Sequence, residues 1–388
     1  MRVLVVAVSA PTQMTGVHRH AINLAKCLLM RHDDVDLVVA PWQLKSIEGS
    51  GISTFPRLSL YVAEMTPGRT ARNLWHCTAL PRLVRESGAD IVHLTCPVPF
   101  FKSLICRPVV VTLHDLYPME IRENFGRFKS VFNRAILRIY LQGADAITTV
   151  SDRTLALLQT YIPKASDKAI RIYNCLEAFP PATGRSPLPE WRGYPFLLCV
   201  AQHRRNKNVT LLLRAFHQLV QRGSLAEGTR LVVIGVPGPE TEAIERTVRD
   251  LELAARVVFL SGVSDAELHW CYRNAKMLVA PSQTEGFGFP VAEALQAGCR
   301  FVCSDIPAFR EIDARSGHYF SLDGDAGSNL VDAILEAASS PAPPPTPLDR
   351  FSLERIGQQY SGLYSTLHLQ HFTVPRASAQ EKPYENKL

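Results

Sequence analysis

Short apolar runs alternate with longer stretches whose apolar positions recur at helical spacing, and this alternation continues along most of the chain. In the first half the runs predict strands at residues 2–8, 35–39, 91–94, 109–113, 146–150 and 169–173. The amphipathic stretches predict helices over 17–30, 72–86, 127–142 and 152–161, the last with Ser151 as N-cap. The pattern breaks across 177–194, a stretch rich in Pro, Gly and Trp that reads as a linker. A second series follows. Its strands are expected at 196–201, 231–235, 257–260, 277–280 and 301–304, and its helices at 209–221, 240–253, 265–274, 291–297 and 329–338. Residues 341–347 form a Pro-rich spacer that should be extended, and 351–368 return to helical spacing with aromatic residues. From about 373 the chain reads as a polar, disordered tail. Strand–helix alternation is the signature of parallel α/β sheets with helices on both faces. The two series have similar architecture but no repeated sequence.

Composition narrows the class. With 388 residues the chain is too long for one compact core and suits two. Hydrophobic residues make up 46% and charged residues 20%, which places it among globular chains. No apolar run reaches the length of a membrane-spanning helix, and the opening Met1–Val8 segment is too short for a signal peptide and reads as a strand. The nine cysteines are scattered, with no Cys-x-x-Cys pair, and most lie in apolar segments. They are expected to be buried free thiols of a cytoplasmic protein, and Cys299 and Cys303 are too isolated for a zinc site. Residues 1–180 carry 21 Lys and Arg against 14 Asp and Glu, a net of +7, while the remainder carries −1. A basic first half suits an anionic acceptor or peripheral contact with a membrane surface, or is a solvated exterior.

The chemistry concentrates in Pro281-Ser282-Gln283-Thr284-Glu285-Gly286-Phe287-Gly288-Phe289-Pro290-Val291-Ala292-Glu293, which starts where an apolar strand stops. One carboxylate sits in a Gly-rich loop and the second on the helix after it. Pro290 suits the first helical turn, where its missing N–H costs nothing. The loop glycines admit a ligand close to the main chain, and the amides opening the helix favour an anion. Two acceptors for hydroxyls beside donors for phosphate are what a sugar nucleotide requires. A second element, Gln202-His203-Arg204-Arg205-Asn206-Lys207-Asn208, fills the turn between the first strand and first helix of the second domain, where open α/β sheets bind phosphate. Lys207 supplies a point charge, and Arg204 or Arg205 a bidentate one. A third element is the buried strand ending in Thr112-Leu113-His114-Asp115. His114 can donate or accept a hydrogen bond there, and Asp115 suits the turn. A fourth is the loop 9–17 after the first strand, with Gly16. It is not a Gly-x-Gly-x-x-Gly dinucleotide fingerprint, which argues against a nicotinamide enzyme.

The Glu-x7-Glu pattern of Glu285 and Glu293, in its Pro-Ser-x-x-Glu-Gly-Phe-Gly-x-Pro setting, resembles the donor-site signature of the retaining glycosyltransferases of family 4. The Lys207-Asn208 pair and the Thr-x-His-Asp segment extend the resemblance. It covers residues 1 to about 370 and is most specific across 196–311. It implies the GT-B fold: two Rossmann-like α/β domains with parallel sheets facing across a cleft. The first, residues 1–176, would bind the acceptor, and the second, residues 195–345, the nucleotide sugar. A C-terminal helix at 346–370 would cross back to the first domain, and 371–388 would be tail. By the same resemblance Lys207 holds the diphosphate, Glu285 the donor sugar's hydroxyls, Glu293 the nucleotide's ribose and His114 the donor sugar near the acceptor. Gly286, Phe287, Gly288 and Gly16 then line the donor. Many members carry an Arg five residues before that Lys, where this chain has Gln202, and Arg204 or Arg205 is the expected replacement, Arg204 being favoured.

The expected reaction moves a sugar from a nucleoside-diphosphate donor to a glycan or lipid-linked acceptor, with retention, in bacterial polysaccharide synthesis. No cofactor, metal or nucleic acid is expected. Asp323-Gly324-Asp325 has the Asp-x-Asp form of metal-dependent transferases of another fold but sits in a polar turn. Two further readings compete: a sugar-nucleotide epimerase of the same fold, and a non-catalytic binding subunit. The basic helix 127–142, with Phe132, Ile136, Leu137 and Tyr140 interleaved, either touches a membrane or packs its apolar stripe on the sheet.

Overall fold

The structure is a computed structural model that describes residues 1–9, 16–120, 127–179, 185–313 and 315–373. In the first domain the chain runs β1 (Arg2–Val6), α1 (Gly16–Met30), β2 (Asp34–Val39), α2 (Leu44–Glu48), β3 (Leu58–Val62), α3 (Arg69–Ser87), β4 (Ile91–Leu94) and β5 (Val109–Leu113). It continues through α4 (Tyr117–Glu120), α5 (Arg127–Gln142), β6 (Ala146–Thr149), α6 (Asp152–Tyr161), α7 (Pro163–Ser166) and β7 (Ala169–Arg171). The second domain opens with β8 (Phe196–Val200), α8 (Val209–Gln221), β9 (Arg230–Ile234), α9 (Thr241–Asp250), β10 (Val257–Leu260) and α10 (Asp265–Asn274). Then come β11 (Met277–Ala280), α11 (Phe289–Ala297), β12 (Phe301–Ser304), α12 (Pro307–Ile312), β13 (His318–Phe320), α13 (Ala326–Ser339) and α14 (Leu353–Thr373).

The strands form two parallel sheets, ordered β3-β2-β1-β4-β5-β6-β7 and β10-β9-β8-β11-β12-β13. The strands β4, β5, β6, β11 and β12 are buried along their whole length, because helices cover both faces. That burial is why they read as unbroken apolar runs. Two edge strands were not anticipated. In β3, Leu60 and Val62 are 40% and 41% exposed, so the strand lacks a continuous buried face. The other, β13, is a three-residue stretch of mixed polarity. The Ser151 hydroxyl caps α6 by accepting the Thr154 amide.

In each sheet the strand order reverses once, between β1 and β4 and between β8 and β11. Crossovers leave in opposite directions at these points, opening a crevice beyond the strands' carboxyl ends. Helix α1 lies at the first crevice and is buried nearly all round, between its sheet and α14. Helix α14 returns to the first domain: Gly357 packs on the Cys27 carbonyl, and the Arg31 guanidinium donates to Ser361 at 2.9 Å. A polar stripe on α1 binds the chain as it leaves β7. His20 Nδ1 meets Asn174 Oδ1 at 2.8 Å, Asn23 donates to the Cys175 carbonyl at 2.9 Å, and the Lys26 ammonium meets both Glu177 oxygens at 2.7 Å. Leu176 donates to the Phe351 carbonyl at 2.8 Å, so the two crossings between domains run side by side.

The linker rests on the second domain. Phe179 stacks on His269 with ring centroids 4.3 Å apart, and Trp191 meets Trp270 edge-on. The Pro-rich spacer is extended, with Pro345 against Gly298 and the Thr346 amide bonded to the Leu295 carbonyl. Six cysteines are buried, whereas Cys77 and Cys96 are half-buried and Cys106 is exposed.

Two buried histidines give a pH dependence. His93 bridges Tyr364 of α14 and Thr112 of β5, and burial holds it neutral, lowered to about 3; burial also lowers His20 well below its ordinary value. Unfolded, both take up protons near pH 6.5, so the unfolded state binds more protons between that value and the folded pKa. Stability present above pH 6.5 is therefore lost as pH falls, by about 1.4 kcal/mol per pH unit for each histidine. Denaturant midpoints should drop between pH 7 and 5, and His93→Gln should flatten that slope. An unchanged slope in the variant would refute the assignment.

Candidate active site

The loops leaving β8 and β11 meet at the second sheet's reversal. The β8 loop ends in a 3₁₀ turn, Arg205–Lys207, and closes on Asn208 in the left-handed region at φ 54°. The β11 loop is stitched to it: the Gln283 amide donates to the Asn206 carbonyl at 2.8 Å, and the Asn206 side chain to the Thr284 carbonyl at 3.3 Å. This sets Lys207 over Glu285. Its ammonium donates to the two carboxylate oxygens at 2.6 and 2.7 Å, while the Ser282 hydroxyl donates to Oε1 at 2.7 Å. The Lys207 and Glu285 side chains are only 18% and 9% exposed. The ammonium suits a phosphate oxygen and the carboxylate suits sugar hydroxyls.

Helix α11 begins at the same loop. Gly288, at φ 106°, is its N-cap, and Pro290 lies in the first turn. A Cβ at Gly288 would also lie 2.9 Å from the Phe309 ring, so glycine is required twice over. One turn in, Glu293 is buried and accepts from the Tyr272 hydroxyl at 2.8 Å. Arg19 of α1 reaches it from the first domain, Nη1 standing 3.6 Å from Oε1, and the same guanidinium pairs with Asp265. Burial raises the Glu293 carboxyl, against the pull of Arg19 and the Tyr272 hydrogen bond. Gly16 opens α1 against the Phe289 ring, which a Cβ there would meet at 3.8 Å, so the first turns of α1 and α11 face each other. The loop 10–15 before Gly16 lies outside the described residues.

His114 stands where β5 ends. Its Nε2–H donates to the Thr95 carbonyl at 2.7 Å, which leaves Nδ1 as the acceptor of the neutral ring. Burial lowers its pKa, and its ring meets His20 edge-on at 4.8 Å. The His114 main chain touches the β11 loop. Thr154 donates to the carbonyls of both His114 and Gly286 at 3.3 Å, and a Cβ at Gly286 would lie 1.9 Å from the His114 oxygen. Further contacts hold the domains together there. Thr284 donates to Glu120 at 2.7 Å, Glu120 pairs with Arg153, and Glu311 accepts the Asp152 amide opening α6 at 2.7 Å.

The structure thus gathers Lys207, Glu285, Gly286, Gly288, Glu293, His114 and Gly16 at one interdomain crevice. The Phe287 ring turns away into an aromatic cluster with Tyr173, Phe289 and Phe351, leaving its main chain to the loop. Arg204 and Arg205 are exposed and form no ion pair among the described residues. Asp115 accepts the Tyr117 amide at 3.2 Å, a turn contact. Arg19, Tyr272 and Glu120 were not anticipated. Arg19 shares a helix face with Asn23 and Lys26, a polar pattern that does not set it apart from a solvated cation. Among the described residues no group of three His, Cys, Asp or Glu is placed to hold a metal ion, and Asp325 caps α13 through the Gly327 and Ser328 amides. No helix of the described residues is long and apolar enough to cross a membrane. Helix α5 packs inward through Leu137 and Leu141 and exposes Ile139; the side chains of residues 127–133 lie outside the described set.

The family model "Glycosyltransferase Family 4" matches residues 14–178, and "Glycosyl transferases group 1" matches residues 185–346. The chain is 25% identical over 232 residues to the O-antigen chain mannosyltransferase RfbU of Salmonella typhimurium, a match covering 57% of this chain and 62% of that protein. It is 24% identical over 337 residues to the O-antigen chain mannosyltransferase B of Escherichia coli, covering 83% and 85%. Its fold is similar to that of WaaG, a glycosyltransferase involved in lipopolysaccharide biosynthesis, with a TM-score of 0.65 and 18% identity over 95% of this chain and 98% of that one. Two parallel-sheet domains thus coincide with family-model matches over both halves of the chain: the chain belongs to family 4 of the glycosyltransferases and has the GT-B fold.

Proposed function

We propose that the chain transfers a hexose, with mannose the first to test, from a nucleoside-diphosphate donor to a glycan or lipid-linked acceptor of a bacterial surface polysaccharide. The observation that carries this is Lys207 held on Glu285 beside the start of α11, with Glu293 one turn further along the helix. The mannosyltransferase relatives suggest the sugar. Lys207 and the α11 amides stabilise the diphosphate as charge builds on it. Arg204, exposed at the mouth of the β8 loop, adds a second cation. Glu285 holds sugar hydroxyls, Glu293 the ribose, and His114 the sugar near the acceptor.

The bond from the anomeric carbon to the phosphate oxygen breaks as the acceptor oxygen bonds to that carbon from the same face. The acceptor's proton passes to the departing phosphate, so configuration is retained without a metal or a separate base. Contact between the domains at Gly286 and His114 excludes water from the oxocarbenium-like centre. The reaction runs on the cytoplasmic side of a membrane, and the basic first domain makes peripheral contact with it. Sedimentation with phosphatidylglycerol vesicles but not with neutral vesicles is expected, and equal recovery from both argues against that contact.

The test is a thermal-shift panel of GDP, UDP, ADP and their common sugars, since a ligand of the folded state raises Tm by mass action. One nucleotide class should raise Tm, with EDTA making no difference to the shift or to transfer. No shift with any donor overturns the transferase reading in favour of a binding subunit. Consumption of donor without acceptor, yielding an epimer, favours the epimerase.

A further inference from the structure

Arg19 is the cation closest to Glu293, and it belongs to the other domain. It lies one turn into α1, as Glu293 lies one turn into α11, and the helix starts are already in contact at Gly16 and Phe289. The groups facing Glu293 are few. From α1 there is Arg19, and from α10 there are the Tyr272 hydroxyl and the Asp265 carboxylate. Tyr272 occupies one lone pair of Oε2, and Arg19 stands off Oε1 at 3.6 Å while bonding Asp265. The carboxylate therefore keeps lone pairs for two further donors, the number a ribose diol offers.

Resting on the reading that Glu293 binds the ribose, we propose that Arg19 is a positioning residue: reaching across the crevice, it orients the Glu293 carboxylate and keeps it charged, so the ribose site is complete only when α1 meets α11. Two observations support this. Glu293 is only 5% exposed, and an isolated carboxylate so buried tends to take up a proton. Within the described residues only Arg19 among the groups facing it carries positive charge. Tyr272 assists through its hydrogen bond but carries no charge, and Asp265 is an anion that opposes the charged form, so Arg19 supplies the positive charge.

The test measures affinity of the full chain for GDP or UDP, whichever the wild type binds more tightly, by calorimetry from pH 5.5 to 9. Arg19→Gln keeps bulk and removes charge. It should weaken binding at pH 7 about tenfold or more and move the acid limb of the affinity profile to higher pH. Arg19→Lys should restore the limb, and serves alone if Arg19→Gln does not fold: a limb moved to higher pH in Arg19→Lys would then overturn the proposal. Asp265→Asn removes an anion that faces Glu293 and should move the acid limb to lower pH, opposite to Arg19→Gln, whereas loss of a mere interdomain clamp would weaken binding without moving the limb. Unchanged or tighter binding by Arg19→Gln at every pH overturns the inference while Glu293→Ala still loses binding. If Glu293→Ala binds as the wild type does, the ribose reading itself fails.

Discussion

Lys207→Ala should lower transfer by about 10²–10³-fold, the usual loss when one preorganised stabiliser of developing charge is removed. Within its loop Lys207 alone is held on Glu285, and Arg204, exposed at the loop's mouth, should compensate only in part. The loss should fall on the diphosphate. Affinity for a nucleoside diphosphate should drop far more than affinity for the monophosphate, since the ribose site proposed at Glu293, one turn down α11, is left intact. Glu285→Gln is its complement. It keeps the shape and the Ser282 contact but loses the charge proposed to receive sugar hydroxyls. Transfer should fall to a similar extent while affinity for the diphosphate stays or rises, because Lys207 no longer spends its donors on a carboxylate. Circular dichroism should show both variants folded. Near-normal transfer by either variant would remove these residues from the site.

Gly286→Ala should act through the meeting of the domains. The added Cβ would lie 1.9 Å from the His114 carbonyl oxygen, 2.9 Å from its carbon and 3.4 Å from the Asp115 Cβ. The first two are main-chain atoms of the opposite domain, with no flexible side chain to yield. Either the domains part there or the donor loop shifts by more than an ångström, and a misplacement of that size can cost about 10²-fold. The donor loop's own contacts lie mostly within the second domain, namely Gln283 to Asn206, Asn206 to Thr284 and Lys207 to Glu285. Nucleotide affinity should therefore change only a few-fold while transfer falls about a hundredfold, and hydrolysis of donor should rise relative to transfer. Equal losses of affinity and transfer would place the defect in the donor loop and not in closure.

These effects differ in how readily the chain announces them. Lys207, Glu285 and Glu293 stand in local strings whose spacing alone places them on a β–α turn, a Gly-rich loop and a helix. His114 is legible because β5 is a fully buried strand, which must end where its apolar run ends. Long helices such as α5, α6, α8 and α10 were legible from amphipathic spacing, and β3 was not, since an exposed edge carries little pattern. Arg19 is of another kind. Its partner Asp265 lies 246 residues away, and nothing near it in sequence distinguishes it from a solvated cation. Phe287 shows the converse: it sits inside the motif, yet its ring is core and packs against Tyr173 from the first domain's last strand region.

By itself the sequence determined whatever depends on neighbours within a turn or a strand: the alternation that makes two parallel sheets, the N-cap at Ser151, Pro290 in a first turn, and the placement of the carboxylates and ammonium of the proposed donor site. The tertiary structure alone decided which groups face each other across the crevice. It set Arg19 on Glu293, Glu120 under Thr284, and the His114 carbonyl on Gly286. The reason is physical. Local preferences arise from sterics and hydrogen bonding along a few residues, whereas an interdomain contact depends on how two completed sheets are docked by α14 and the paired crossings at Leu176 and Phe351.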